Sequence, residues 1–231
     1  LNLMAKGIFG ITDYEMDLEK FLDIVCNKNF KSRTKKESPS NEELMYFFFT
    51  WVSAVYHRPG INLSTIPSFF GLPGTGKSTI MKLVCDLIGN SKPNVSQTAT
   101  GKFNSAFENT LVVCFNEVQE IPDFYNNIIK GTLTEETILI ERKGKDVYQV
   151  PNISNGIISC NPAKKSLKID SDDRRLVVIN GITHDQNQQL NEPISSMMSD
   201  FLGSNLHRFD ELTKIFSKII RTIDYDIMYL N

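Results

Sequence analysis

The stretch Thr65-Ile-Pro-Ser-Phe-Phe-Gly-Leu-Pro-Gly-Thr-Gly-Lys-Ser-Thr79 decides the fold. Its first half is a short apolar run ending in glycine, which reads as a strand. Gly71 to Ser78 fits GxxxxGK[ST] at every fixed position. Ser78 to Gly89 then carries apolar residues at helical spacing. Strand, glycine-rich turn and helix in that order make an anion cradle. Glycines let backbone N–H groups turn inward, and the helix start adds the positive end of its dipole. Gly71, Pro73, Gly74, Thr75, Gly76, Lys77, Ser78 and Thr79 are the candidate phosphate contacts. Lys77 is expected to reach the β- and γ-phosphates and the Ser78 hydroxyl to ligate Mg²⁺. A bland glycine-rich turn with a surface lysine would need neither the strand nor the helix.

Working outward, short apolar runs alternate with helical segments. Leu111 to Phe115 reads as a buried strand and Pro122 to Gly131 as a short helix. ILIERKGKDVYQV reads as two strands around a turn at Lys143-Gly144-Lys145, and Asn155 to Asn161 and Arg175 to Asn180 as two further strands. This alternation predicts an α/β layer with a central, mostly parallel sheet. Upstream, Asp13 to Phe30 has helical spacing, and the polar stretch Lys31 to Asn41 breaks it. Ser40 followed by Glu43 signs a capping box for a helix through Val55 that is apolar almost all round, hence buried. Downstream, residues 206–225 are amphipathic helix again. The expected organisation is a helical N-terminal subdomain (1–62), a core carrying the glycine-rich loop (63–182) and a C-terminal helical segment (183–231), with no internal repeat.

The chain has 231 residues, 25 basic and 27 acidic, for a net charge of −2; 41% are hydrophobic and 23% charged. This is globular composition, not collagen, coiled coil or a disordered tail. No run is long and apolar enough to predict a transmembrane helix, and no secretory leader is legible, so an intracellular, non-membrane protein is expected. Near-zero charge argues against a surface coated in positive charge but leaves room for a local basic patch. Cys26, Cys85, Cys114 and Cys160 form no CxxC pair and read as buried hydrophobes in a reducing compartment. His57, His184 and His207 are isolated, so no zinc site is expected. Leu1 at the first position suggests a piece of a longer polypeptide.

Four further groups carry chemistry. Asn116-Glu117 closes the strand Leu111 to Phe115, where a carboxylate can polarise water or hold Mg²⁺; Asn116 adds an oxygen but no charge. Asn161, ending another strand, is either a γ-phosphate contact or a turn residue before Pro162. Asp172-Asp173-Arg174-Arg175 is either a surface ion-pair cluster or the source of an arginine that neutralises phosphate charge. Arg142, Lys143 and Lys145, with Lys164, Lys165 and Lys168 nearby in sequence, form either solvated charged turns or a phosphate-backbone contact.

In order, GLPGTGKST, GKFNSAFENTLVVCFNE, LTEETILIERKGKD, NISNGIISCN and DDRRLVVI resemble the superfamily 3 helicases, a branch of the AAA+ ATPases, over roughly Ser68 to Asn180. The resemblance is closest to poxvirus-type and phage or plasmid primase-helicases. It implies an AAA+-type P-loop NTPase that hydrolyses ATP with Mg²⁺ between subunits of a hexameric ring. Lys77 and Ser78 would take the Walker A roles, Glu117 the catalytic Walker B role with Asn116 departing from aspartate, and Asn161 the first sensor role. Arg175, with Arg174 as alternate, would be the arginine finger. Lys143 and Lys145 would sit on a hairpin gripping single-stranded DNA, and a fused or associated primase is implied. The expected function is therefore an ATP-driven DNA helicase motor. Three other readings compete: an RNA-virus-type ATPase, which would carry an acidic pair at Asn116-Glu117; a P-loop kinase, which would need an arginine-rich lid; and a nucleotide-bound scaffold, favoured by Asn116.

Overall fold

The computed structural model describes residues 1–13, 15–26, 38–95, 104–118, 124–161, 174–190, 192–202 and 206–223. Three helices come first: α1 (Asn2–Phe9), α2 (Leu18–Val25) and α3 (Asn41–His57). They lead into β1 (Ile66–Phe70), α4 (Lys77–Ile88) and β2 (Val112–Phe115). A π-helix, Phe124–Leu133, precedes β3 (Thr137–Ile140), β4 (Tyr148–Pro151), β5 (Asn155–Cys160) and β6 (Leu176–Asn180). Helices α5 (His184–Gln188), α6 (Ile194–Leu202) and α7 (Leu206–Thr222) complete the order.

The main sheet is parallel throughout, with strand order β2-β5-β1-β6. Its strands read as continuous apolar runs because helices or loops cover both faces and side chains alternate between them. Val112, Cys114, Ile157, Phe69 and Ile179 face the cluster built with α1, α3, α4 and α7. Val113, Phe115, Ile158, Ile66 and Leu176 face the other, with the π-helix and β3. The strand β3 pairs antiparallel with β4 as a separate ribbon, Ile138 opposite Val150. Phe124–Leu133 covers the helix expected from Pro122, displaced by two residues.

Helix α3 starts as its capping box predicts: Ser40 Oγ accepts from Glu43 N–H at 3.2 Å, and Glu43 Oε2 accepts from Ser40 N–H at 2.6 Å. It is buried from Glu43 to Val55. The Trp51 indole N–H donates to Thr65 O at 3.0 Å, and Ser53 Oγ donates to Ile223 O at 3.0 Å, tying α3 to β1 and α7.

One reading is corrected, and one element is added to the expected helical subdomain. Cys26 is exposed, because it caps the C-terminus of α2 rather than facing the core. The other three cysteines are buried. Cys85 and Cys114 sit Sγ to Sγ at 3.6 Å, and this contact together with burial pushes the Cys114 thiol well above its ordinary range. The added element is residues 2–9, a helix that the hydrophobic spacing does not predict. Helix α1 ends at Gly10 in the left-handed conformation (φ 64°), and Phe9 packs among Phe48, Phe49 and Phe69. Among the described residues no helix is long and apolar enough to cross a membrane.

Candidate nucleotide-phosphate site

Parallel register brings the carboxyl ends of all four strands to one edge. Phe70, Phe115, Cys160 and Asn180 end there, so Gly71–Ser78, Asn116-Glu117, Asn161 and Gly181 come next at the same edge. The edge beyond the strand ends is where open α/β sheets place ligands. A cleft of about 320 Å³ opens there. The loop and the start of α4 line it with Pro73, Gly74, Gly76, Lys77, Ser78 and Thr79; the strand ends add Glu117, Ser159, Cys160 and Asn161, and α6 adds Ser195 and Ser199.

Gly74 and Gly76 take left-handed φ of 76° and 92°, which glycine adopts without cost. The Lys77 ammonium folds back onto its own loop, donating to Gly71 O at 2.9 Å and Leu72 O at 2.6 Å. Burial pushes Lys77 below the ordinary lysine range, and the Glu117 carboxylate partly offsets this. Thr75 Oγ1 donates to Leu72 O at 2.9 Å, closing the turn. Asn116 is anchored through its amide to Pro93 O at 3.1 Å, while its Oδ1 accepts from Ser78 Oγ and Ser159 Oγ, both at 3.4 Å. Glu117 has φ 53°, a left-handed conformation that costs a non-glycine residue on the order of 1 kcal/mol and clusters at functional sites. Its N–H meets Ser159 Oγ at 3.2 Å and the next N–H, of Val118, meets Ser159 O at 2.8 Å.

Thus Lys77, Ser78, Asn116, Glu117 and Asn161 gather at one edge. Arg174 and Arg175 do not join them. Ile66 pairs with Leu176 and Phe70 with Asn180, so the residues before β6 lie at the opposite edge from the loop. Residues 101–103, Lys164, Lys165, Lys168, Asp172 and Asp173 lie outside the described residues.

The ribbon places Lys143 and Lys145 in its exposed turn, with Gly144 at φ 71°. Arg142 differs from them: its guanidinium pairs with Glu108, Nε to Oε2 at 2.9 Å, and Tyr148 OH donates to the other carboxylate oxygen. Asn104 clamps the same ribbon, accepting from Glu141 N–H at 2.9 Å and donating to Leu139 O at 2.7 Å. The Tyr148 hydroxyl and then the Arg142 guanidinium hold the Glu108 carboxyl below its usual range. A depressed carboxyl pKa contributes stability above the unfolded value and loses it as pH falls through the folded value. The thermal-stability difference between wild type and Glu108→Gln is therefore expected at neutral pH and should close on acidification. A difference that does not change with pH would refute the assignment.

Ser159, Ser195 and Ser199 are site residues that the sequence does not single out. Ser159 sits inside an apolar strand. Ser195 and Ser199 share one face of α6, far along the chain, and no sequence signal marks them.

The fold and cleft define a mixed α/β chain with a glycine-rich loop at the carboxyl edge of a parallel sheet. A family model described as "Family of unknown function (DUF5906)" matches residues 69–175. The chain is 26% identical over 168 residues to the DNA primase-polymerase of Nitratiruptor phage NrS-1, covering 69% of this chain and 23% of that protein. It also resembles apo structures of the NrS-1 C-terminal region, with TM-scores of 0.65 at 19% and 20% identity, over 100% of this chain and 50% of those chains. At that identity the likeness shows the fold alone. The chain spans less than a quarter of the curated relative and about half of the solved chains.

These findings overturn the expectation of a superfamily 3 DNA helicase motor. The curated relative is a DNA primase-polymerase, and the matched family has no assigned function, so helicase, ATPase-motor and AAA+ assignments do not stand. The physical reason is that a glycine-rich loop before a helix reports phosphate recognition, and that geometry is the same whichever reaction the bound phosphate undergoes.

Proposed function

We propose that this chain is the nucleotide-binding region of a phage-type DNA primase-polymerase, and that Gly71–Ser78 holds the phosphates of a nucleoside triphosphate with Mg²⁺. The observation that carries this reading is the Lys77 ammonium, half-buried, lining the cleft and, among the described residues, bonded to oxygens of its own loop. Phosphate oxygens would take over those bonds, and the N-terminus of α4 would add its dipole. Hard oxygen donors suit Mg²⁺: the Ser78 hydroxyl and Asn116 carbonyl are already neighbours, and Glu117 lines the same cleft. Bound there, the ion would neutralise phosphate charge. Asn161, Ser195 and Ser199 would donate to the terminal phosphate, and Thr79 would flank the α-phosphate.

Lys143 and Lys145 would contact the phosphate backbone of single-stranded DNA from the ribbon turn. Arg174 and Arg175, at the opposite edge, would meet a triphosphate only on a neighbouring copy, so an assembled form is the arrangement in which they would act. The test is calorimetric titration of the chain with Mg²⁺ and a nucleoside triphosphate. Binding in the micromolar range, weakened at least about tenfold by EDTA, is expected. Absence of binding would sink the proposal.

A further inference from the structure

The phosphate cleft continues into a second cavity. This slot, about 220 Å³, shares Gly76 and Thr79 with the cleft and runs between α1 and α4. Leu3, Met4 and Ile8 form one wall, Ile80 and Leu83 the other, and Leu212 of α7 closes the end. The two cavities fall within or near the ~300–1,000 Å³ of small-ligand sites. Among the described residues, Asn2 and Thr79 are the only lining side chains able to form hydrogen bonds. Both ends of the Asn2 amide are occupied: its Nδ2 donates to Glu15, and its Oδ1 accepts from Met16 N–H at 3.3 Å. Thr79 lies where the slot meets the phosphate cleft.

We infer that this slot takes the base of a purine nucleoside triphosphate and does not distinguish adenine from guanine; the inference rests on the nucleotide reading above. The two bases present similar faces and differ in their edge donors and acceptors. A site rejects the wrong base strongly only when one of its own buried polar groups is then left unpaired. Here the described wall side chains are aliphatic and the one amide is held at each end by Glu15 and Met16, so among the described residues no side chain is placed to read the edge. An apolar slot does little to reject a ligand of the same shape.

The test is calorimetry of the chain with Mg²⁺ and, in turn, ATP, GTP and inorganic tripolyphosphate. ATP and GTP are expected to bind within about threefold of each other, and both about tenfold tighter than tripolyphosphate. A preference above about 30-fold for either nucleotide would overturn base tolerance while leaving triphosphate binding intact. Tripolyphosphate binding as tightly as ATP would overturn the slot as the base site. No binding of any of the three would overturn the nucleotide reading itself. Leu212→Trp fills the slot from a partly buried position and is expected to weaken ATP and GTP alike by about tenfold. Met4→Trp does the same from the facing helix. Unchanged nucleotide affinity in both variants would place the base elsewhere.

Discussion

Replacing Lys77 by alanine is expected to weaken nucleoside triphosphate binding by about 100-fold, ~2.7 kcal/mol. Hydrogen bonds to a charged group are worth about 1.5–3 kcal/mol, and this ammonium would make more than one. In the free protein it donates to Gly71 O and Leu72 O, so it stands poised beside the cleft. Lys77→Arg is expected to fail as well, because a planar guanidinium does not fit where a compact ammonium reaches back under a tight loop. Folding separates from binding in this variant. Burial lowers the Lys77 pKa, so keeping it charged opposes folding below its folded pKa and this cost fades as pH rises through that value. Lys77→Ala should therefore melt no lower than wild type without nucleotide, while losing the nucleotide-induced rise in Tm. For wild type, affinity should fall as pH rises through the lowered lysine pKa, since a polyanion favours the charged amine. Full nucleotide stabilisation in Lys77→Ala would refute the role.

Gly7→Ala, on a helix that does not line the phosphate cleft, is the second large effect. A methyl group at Gly7 would sit 2.6 Å from the Thr75 carbonyl oxygen, a backbone atom of the phosphate loop. Neither side yields easily. Gly7 O accepts from Ile182 N–H at 3.2 Å, and Gly181 N–H donates to Phe70 O at 2.7 Å, so α1, β1 and the segment after β6 are locked together. Ala5, Ile8 and Phe9 fix α1 in the core. Overpacking of this kind costs about 1–3 kcal/mol. Relief by moving Thr75 would distort the loop, so a loss of triphosphate affinity of about tenfold should accompany a lower Tm. Wild-type affinity and Tm together would show that α1 does not support the loop.

Much of the architecture is legible in local chemistry. The Ser40–Glu43 capping box, the strand at Ile66–Phe70, the helix after Lys77 and the acidic residue after Phe115 are each set by neighbours in the chain. Helix α1 is not legible: it is short, carries glycine at position 7, has no side-chain cap, and is held by Phe9 meeting rings from α3 and β1. Arg142 shows the same limit. In sequence it reads as one cation of a basic turn, yet Glu108, itself held by the Tyr148 hydroxyl, claims it from outside the ribbon.

By itself, the sequence determined that a strand, a glycine-rich loop and a helix follow one another in the arrangement that can cradle an anion, because turn chemistry and apolar spacing are properties of consecutive residues. It did not determine the protein class. The same cradle serves many proteins, and the helicase expectation drawn from the motif order gave way to likeness to a DNA primase-polymerase. Tertiary structure alone decided which distant groups share the site. Parallel register carries Asn116, Glu117 and Asn161 to the loop and leaves Arg174 and Arg175 at the far edge. Helix packing adds Ser195 and Ser199 and the aliphatic slot beneath α1, because contacts between elements far apart in sequence depend on how their apolar faces close one core.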